Sequence, residues 1–494
     1  MPFLIENIIR VVFVLFVIIL LGNFVIIGLA ITRRQRREKY FQRIDTLRAE
    51  FRPVVARLVA GRMDYQEGLN RLKGISGPDR FYLWEQLLLE KRPSSVEEPI
   101  LRQLCEDLGL VRTWQNRLSG RVDRPSVREA IARPEGVIER VGRLRFLIRA
   151  KSAENLGIIR HRASWPLLVK ALNDPYPDLQ SVASRAIAAI REPESFLALV
   201  AQLHKVVLDA SSTALSLRSV KSALVSFPLE NASGLLASLR HPNRRIRFLA
   251  TDIIREMVSR EAEGDENYEL DRKILGTELV ETCLEQLPFD ENPDVRARST
   301  GVICFLSDPR SAPVLLTLLR DSAWFVRLHA VRALARRKFL PQAVQIGPAL
   351  SDPNWRVREA AVTALRIFGS AGLAQLTDHF VNTEDVYSQE QVADVFQRAG
   401  LIPELLRRYA AADDSQAPQV LAQLARLGKT SYMLSVLTNN AEPDLRKKFL
   451  LGFGRHPDPQ IQAWVGQVAA SETDLEIRSM ARAAMAGRSL AGER

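Results

Sequence analysis

Apolar residues follow three regimes along this chain. From position 11 to 31 they run unbroken, 21 residues without a charge and with Asn23 the one strongly polar side chain. Next, Phe41, Ile44, Leu47, Phe51, Val54, Val55 and Leu58 recur every three or four positions, with arginines between them. From about residue 143 onward, short helical patterns alternate with acidic or proline-bearing turns at a near-constant interval. At about 1.5 Å per residue the first stretch predicts a helix about 31 Å long, close to the hydrocarbon thickness of a bilayer. The second predicts an amphipathic helix, and the third a series of helix pairs.

The interval is clearest where one phrase is written twice, 31 residues apart. Asp321-Ser-Ala-Trp324-Phe-Val326-Arg327-Leu-His-Ala330-Val-Arg-Ala333-Leu334 is followed by Asp352-Pro-Asn-Trp355-Arg-Val357-Arg358-Glu-Ala-Ala361-Val-Thr-Ala364-Leu365. Degenerate copies of the turn end at Ile246-Arg247, Val295-Arg296, Leu445-Arg446 and Ile477-Arg478. A period near 30 marks stacked units, each burying its apolar face only against its neighbours. The alanines let helices approach closely, Asp321 and Asp352 cap the turn, and Arg327 and Arg358 reach the acidic turn of a neighbouring unit. Trp324 and Trp355 occupy equivalent places and are read as packing at the turn; an exposed binding pair is the alternative. A polar insertion at 261–278 interrupts the period.

Between the apolar stretch and the repeats lies a helical region, 33–140. Gly61 followed by Asp64-x-x-Glu67 reads as a helix stop and a capping box. Helices are expected at 64–73, 79–91 and 96–118, the last broken near Gly109. Residues 120–136, with Pro125 and Pro134, read as a loop. The amphipathic helix has three possible roles: core against the repeats, a basic face on anionic lipid, or pairing with a partner's helix.

The repeated phrase resembles the HEAT repeats, in particular the short bacterial class first associated with phycobilin lyases. The resemblance covers about residues 143–490 and is strongest over 290–370. It implies an α-solenoid of about ten HEAT-like helix pairs (143–494); with the segments read above, the chain is expected to be all-α, with a transmembrane anchor (1–32) and a basic juxtamembrane helix and stalk (33–140) before the solenoid. In that family the residues Asp321, Trp324, Arg327, Asp352, Trp355 and Arg358 build the stack.

Charge refines the picture. The formal net charge is +12. Ten basic residues against three acidic ones fall within 33–62, so more than half of that excess sits beside the apolar stretch. Only Arg10 precedes the stretch, while Arg33, Arg34, Arg36, Arg37 and Lys39 follow it and would lie at the membrane surface. The positive-inside rule then places a short N-terminus outside and the repeats in the cytoplasm. Gly28-Leu-Ala30 loosely matches a signal-peptidase site. The apolar run exceeds the usual 7–15 residues, however, and no basic region precedes it, so an uncleaved anchor is preferred.

Chemistry is sparse. Cys105, Cys283 and Cys304 are odd in number and far apart, which argues against disulfides and a zinc site and fits a reducing compartment. The six histidines share no metal-ligand spacing. Gly428-Lys-Thr430 mimics the end of a phosphate loop but has Gln423 where the leading glycine belongs. No enzyme, cofactor or metal is expected. The expected role is a membrane-anchored scaffold or adaptor that binds a protein partner at the inner membrane. Chains of this layout resemble bacterial single-span HEAT proteins that accompany membrane glycosyltransferases of exopolysaccharide synthesis. The alternatives are a nucleic-acid-binding protein like the HEAT-like alkylpurine glycosylases, disfavoured by the small charge of the repeats, and a chromophore lyase. Binding residues are expected on the second helices, where the copies differ.

Overall fold

In the computed structural model the described residues are 2–487, except 77–79, 91–92, 95, 121–136, 209–215, 266–267, 338–342, 399, 412–415 and 440–441. The side chains of 2–15, 33, 36, 37, 40, 137–145 and 272 are likewise outside the description. Among the described residues all regular structure is helical, apart from one bridge that joins Leu270, in the polar insertion, to Leu306. The chain forms two compact units, Met1–Leu235 and Leu236–Arg494.

The first unit opens with a single helix of 58 residues, Pro2–Val59, which passes through Pro53 without ending. Its two ends behave differently. Ile44, Val54, Val55 and Leu58 are buried, and this part packs on the helices Tyr65–Lys73 and Arg80–Leu88. Arg48 and Arg52 each reach Glu90 at 3.1 Å. The apolar side of the amphipathic stretch is therefore core, but against the stalk helices and not against the repeats as expected. Toward the other end, Phe16, Ile18, Ile19, Leu21, Phe24, Val25, Ile26, Ile27, Leu29 and Ile31 are each more than half exposed. Among the described residues no helix is long and apolar enough to cross a membrane. The described side chains of this helix begin at Phe16, and from there to Ile31 it measures about 24 Å.

The stalk follows its sequence signals. Asp64 accepts the Glu67 amide at 2.9 Å, but Glu67 turns to Arg71 at 2.6 Å rather than back to the cap. Helices Glu98–Asp107 and Leu110–Leu118 break at Gly109, whose φ of 72° is a left-handed conformation that glycine adopts without a Cβ clash. Leu72, Leu83, Leu104 and Trp114 fill the core. Arg149 donates to the Leu118 carbonyl at 3.2 Å, tying the stalk to the first repeat. The helix Val137–Ile158 runs through the expected boundary at 140–143, so stalk and repeats share an element.

The second unit contains the clearest repeats. First helices Arg244–Glu261, Pro293–Ile303, Trp324–Arg336 and Trp355–Ile367 pack side by side in succession. Second helices follow them, such as Ser311–Leu318 after Pro293–Ile303 and Gly369–Asn382 after Trp355–Ile367. Ile246, Val295, Val326 and Val357 occupy one register position and are all fully buried. Ala330, Ala333, Ala361 and Ala364 are buried too, and their small side chains set the close spacing of the first helices. Further pairs continue to Leu475–Met485.

Candidate functional site

The turn that opens each first helix is built as a relay. Arg296 donates to both carboxylate oxygens of Asp321, at 2.6 and 2.8 Å. Arg327 does the same to Asp352, also at 2.6 and 2.8 Å, and Arg247 to Asp290 at 2.7 and 3.0 Å. The third nitrogen turns inward: Arg327 Nη1 donates to the Asp321 carbonyl of its own turn at 2.8 Å. Each aspartate also accepts a backbone amide two residues on, Ala323 for Asp321 and Asn354 for Asp352, both at 2.8 Å. The aspartates thus close the turn one step before the helix. The capping residue itself is Asn354 in one repeat and Ala323, without a side-chain bond, in the other.

Burial raises the pKa of Asp321 and Asp352. The hydrogen bonds from Arg296 or Arg327, from the backbone amide, and the arginine charges outweigh it, so both carboxyls sit below their ordinary range. Bidentate charged bonds of this kind fix geometry as well as adding energy.

The relay extends beyond the residues legible as a motif. Arg149 pairs with Asp174 at 2.5 Å. Gln180 and Gln462 take the arginine's place and keep its inward bond, to the Asp174 carbonyl at 2.6 Å and the His456 carbonyl at 2.8 Å. Gln389 does likewise to Thr383 at 2.5 Å. Counting 31 residues on from Arg358 would have found Gln389, and six back from Gln389 would have found Thr383 in place of an aspartate. That substitution weakens the relay: Arg358 stands 3.9 Å from Asp385.

Trp324 and Trp355 do not pack alike. Trp324 is partly buried and meets the Phe325 ring edge-on at 5.8 Å. Trp355 is 52% exposed. The Arg356 guanidinium lies 5.4 Å from each indole, bridging two successive repeats. Arg336 covers Phe305 at 4.1 Å, and Arg298 lies over Phe248 at 5.5 Å. The first helices of this region therefore carry arginines resting on aromatic rings. Two arginines that flank second helices, Arg240 after Leu236–Leu239 and Arg310 before Ser311–Leu318, are instead met by carboxylates. Arg240 binds Glu278 at 2.7 Å and Thr282 at 3.0 Å. Arg310 binds Glu281 at 2.8 Å, Glu285 at 3.0 Å and Asp308 at 2.9 Å.

Of the basic cuff, Arg34 and Lys39 are exposed, with Arg34 3.0 Å from Glu38. The side chains of Arg33, Arg36 and Arg37 lie outside the described residues. Among the described residues no three His, Cys, Asp or Glu side chains converge as metal ligands.

Helix pairs in register, with a shared turn chemistry, define an α-helical repeat protein. The repeats are of the HEAT type: residues 280–346 match the family model for HEAT repeats and residues 346–371 that for the HEAT repeat. No curated protein matches the sequence. Among solved structures, an engineered protein shares 15% identity over 76% of this chain and 98% of its own, with a TM-score of 0.32. The complex of CpcE and CpcF of phycocyanin lyase from Nostoc sp. PCC7120 shares 14% over 63% of this chain and 94% of its own, with a TM-score of 0.21. Kap121p shares 11% over 89% of this chain and 53% of its own, with a TM-score of 0.38.

Proposed function

We propose that this chain is a HEAT-repeat scaffold, tethered to a bacterial inner membrane by its first helix, whose repeats hold a protein partner at the cytoplasmic surface. The observation that carries the reading is the divided character of Pro2–Val59. One end exposes apolar side chains on every side, which water penalises and lipid does not. The other end is the core of a folded stalk. From Ile31 to Ile44, the first buried position, the helix spans about 20 Å. The described residues between them are exposed. A single unbroken helix would therefore hold the stalk clear of the headgroups, with Arg34 and Lys39 among the residues closest to them. Tethering raises the local concentration of whatever the repeats bind. The role is read as binding rather than catalysis, since the charged side chains of the turns are engaged in structural pairing. The sequence resemblance points to an integral membrane glycosyltransferase of exopolysaccharide synthesis as the partner.

Carbonate extraction of native membranes tests the tether. The full chain should stay in the pellet and a chain lacking residues 11–31 should not; recovery of the full chain in the supernatant would refute the anchor. Mild-detergent purification tests the scaffold, which requires a stoichiometric protein partner.

A further inference from the structure

Three first helices, Pro293–Ile303, Trp324–Arg336 and Trp355–Ile367, lie side by side in the second unit. Apart from the relay arginines, they carry Arg298, Arg332, Arg336, Arg356 and Arg366 against only two carboxylates, Asp294 and Glu359. Arg332, Arg336, Arg356 and Arg366 are exposed, and among the described residues none of these four has a carboxylate within ion-pair distance. By contrast Arg240 and Arg310, which flank the second helices Leu236–Leu239 and Ser311–Leu318, have their charges met by Glu278, Glu281, Glu285 and Asp308. His329 has its pKa lowered by burial and further by Arg298, Arg332 and Arg255.

The same face is aromatic. Arg356 lies 5.4 Å from both the Trp324 and Trp355 rings, and Arg336 lies 4.1 Å from Phe305. A guanidinium resting on a ring loses conformational freedom before any partner arrives, while its N–H groups stay directed outward for a carboxylate. Half-exposed Trp355 supplies apolar area beside that charge.

We infer that this first-helix face is the docking surface for an acidic segment of a partner protein, one that also carries aromatic side chains. Charge complementarity selects the acidic residues, and the Trp324–Arg356–Trp355 stack takes the aromatic ones. First helices pack roughly 8–10 Å apart, and an extended chain advances about 3.3 Å per residue. Carboxylates spaced by three residues along such a segment would meet successive helices. The inference rests on the scaffold reading and gives the partner its chemistry.

The test uses the full chain in detergent and a labelled twelve-residue peptide of repeated Glu-Asp-Phe, followed by fluorescence anisotropy. Binding should appear at low salt and weaken between 50 and 300 mM. R332E/R336E/R356E should lose about tenfold or more in affinity. V344E, which alters an exposed second-helix position, should bind as the parent does. Circular dichroism of each variant establishes that the helices persist. Absence of peptide binding, equal binding by the triple variant, or tighter binding of a 20-base-pair DNA duplex than of the peptide would each overturn the assignment. A partner that co-purifies with both parent and triple variant leaves the scaffold standing and removes this face. Failure of any partner to co-purify, with peptide binding intact, removes the scaffold instead.

Discussion

Removing one rung of the relay separates the inter-repeat bond from the bond within a turn. Arg327 is 15% exposed and Asp352 7%. In D352A the guanidinium loses two bonds, of 2.6 and 2.8 Å, and the Asn354 amide loses its acceptor at 2.8 Å. Arg327 keeps its inward bonds to the Asp321 and Ser322 carbonyls. Breaking a buried pair from one side costs about 3–5 kcal/mol. The retained bonds and residual solvent access place this case at about 3 kcal/mol. R327Q is milder, because Gln180, Gln389 and Gln462 show that glutamine keeps the inward bond. About 1–2 kcal/mol is expected there. With both changes the coupling energy should be about 1 kcal/mol or more. R358Q is the internal control: its partner Asp385 is 3.9 Å away and 42% exposed, so less than about 0.5 kcal/mol should be lost. Because repeats open locally, the assay is hydrogen–deuterium exchange of the amides in 352–367, with the opening free energy read per peptide. Coupling below about 0.5 kcal/mol between positions 327 and 352, or equal effects of R327Q and R358Q, would refute the relay as a stabilising device.

Other expectations follow from the same structure. The carboxyls of Asp321 and Asp352 are held below their unfolded value, so their contribution is present above about pH 4 and is lost as pH falls through the folded value; an acid titration of D321N/D352N should lack that component. The G372A change places a Cβ 1.8 Å from the Leu365 carbonyl oxygen, forcing two helices apart, and should cost about 2 kcal/mol or more by thermal melting. W355A removes a half-exposed ring and should change stability by less than about 1 kcal/mol while weakening acidic-peptide binding. Burial pushes the Cys283 and Cys304 thiols up to about 12, and Cys105 is shifted in the same direction, so a thiol reagent at pH 8 should modify none of the three until denaturant is added.

The repeat was legible because each of its units is specified locally. A turn aspartate, Val-Arg and alanines at helical spacing recur at 31 residues, and Val326, Arg327, Val357 and their equivalents stand where that pattern puts them. The helix stop at Gly109 and the cap at Asp64 were legible for the same reason, since both act over a few residues. Gln180 and Gln389 were not, because they share with arginine only a hydrogen bond and not a residue type. Nor was the division of charge between faces. In sequence Arg310 and Arg332 look alike; the second helix of the preceding repeat brings Glu281 and Glu285 to Arg310, and no carboxylate among the described residues to Arg332.

The amino-acid pattern by itself determined the helical repeat, its period, the apolar first segment and the basic residues after it, since each depends on neighbours within a turn or two of helix. Tertiary structure decided which partner each long side chain meets. It placed the amphipathic stretch 44–58 in the stalk core, bridged Trp324 and Trp355 with Arg356, and left Arg332, Arg336, Arg356 and Arg366 of the first helices open. Those outcomes depend on contacts between separate helices, which packing sets and local pattern does not.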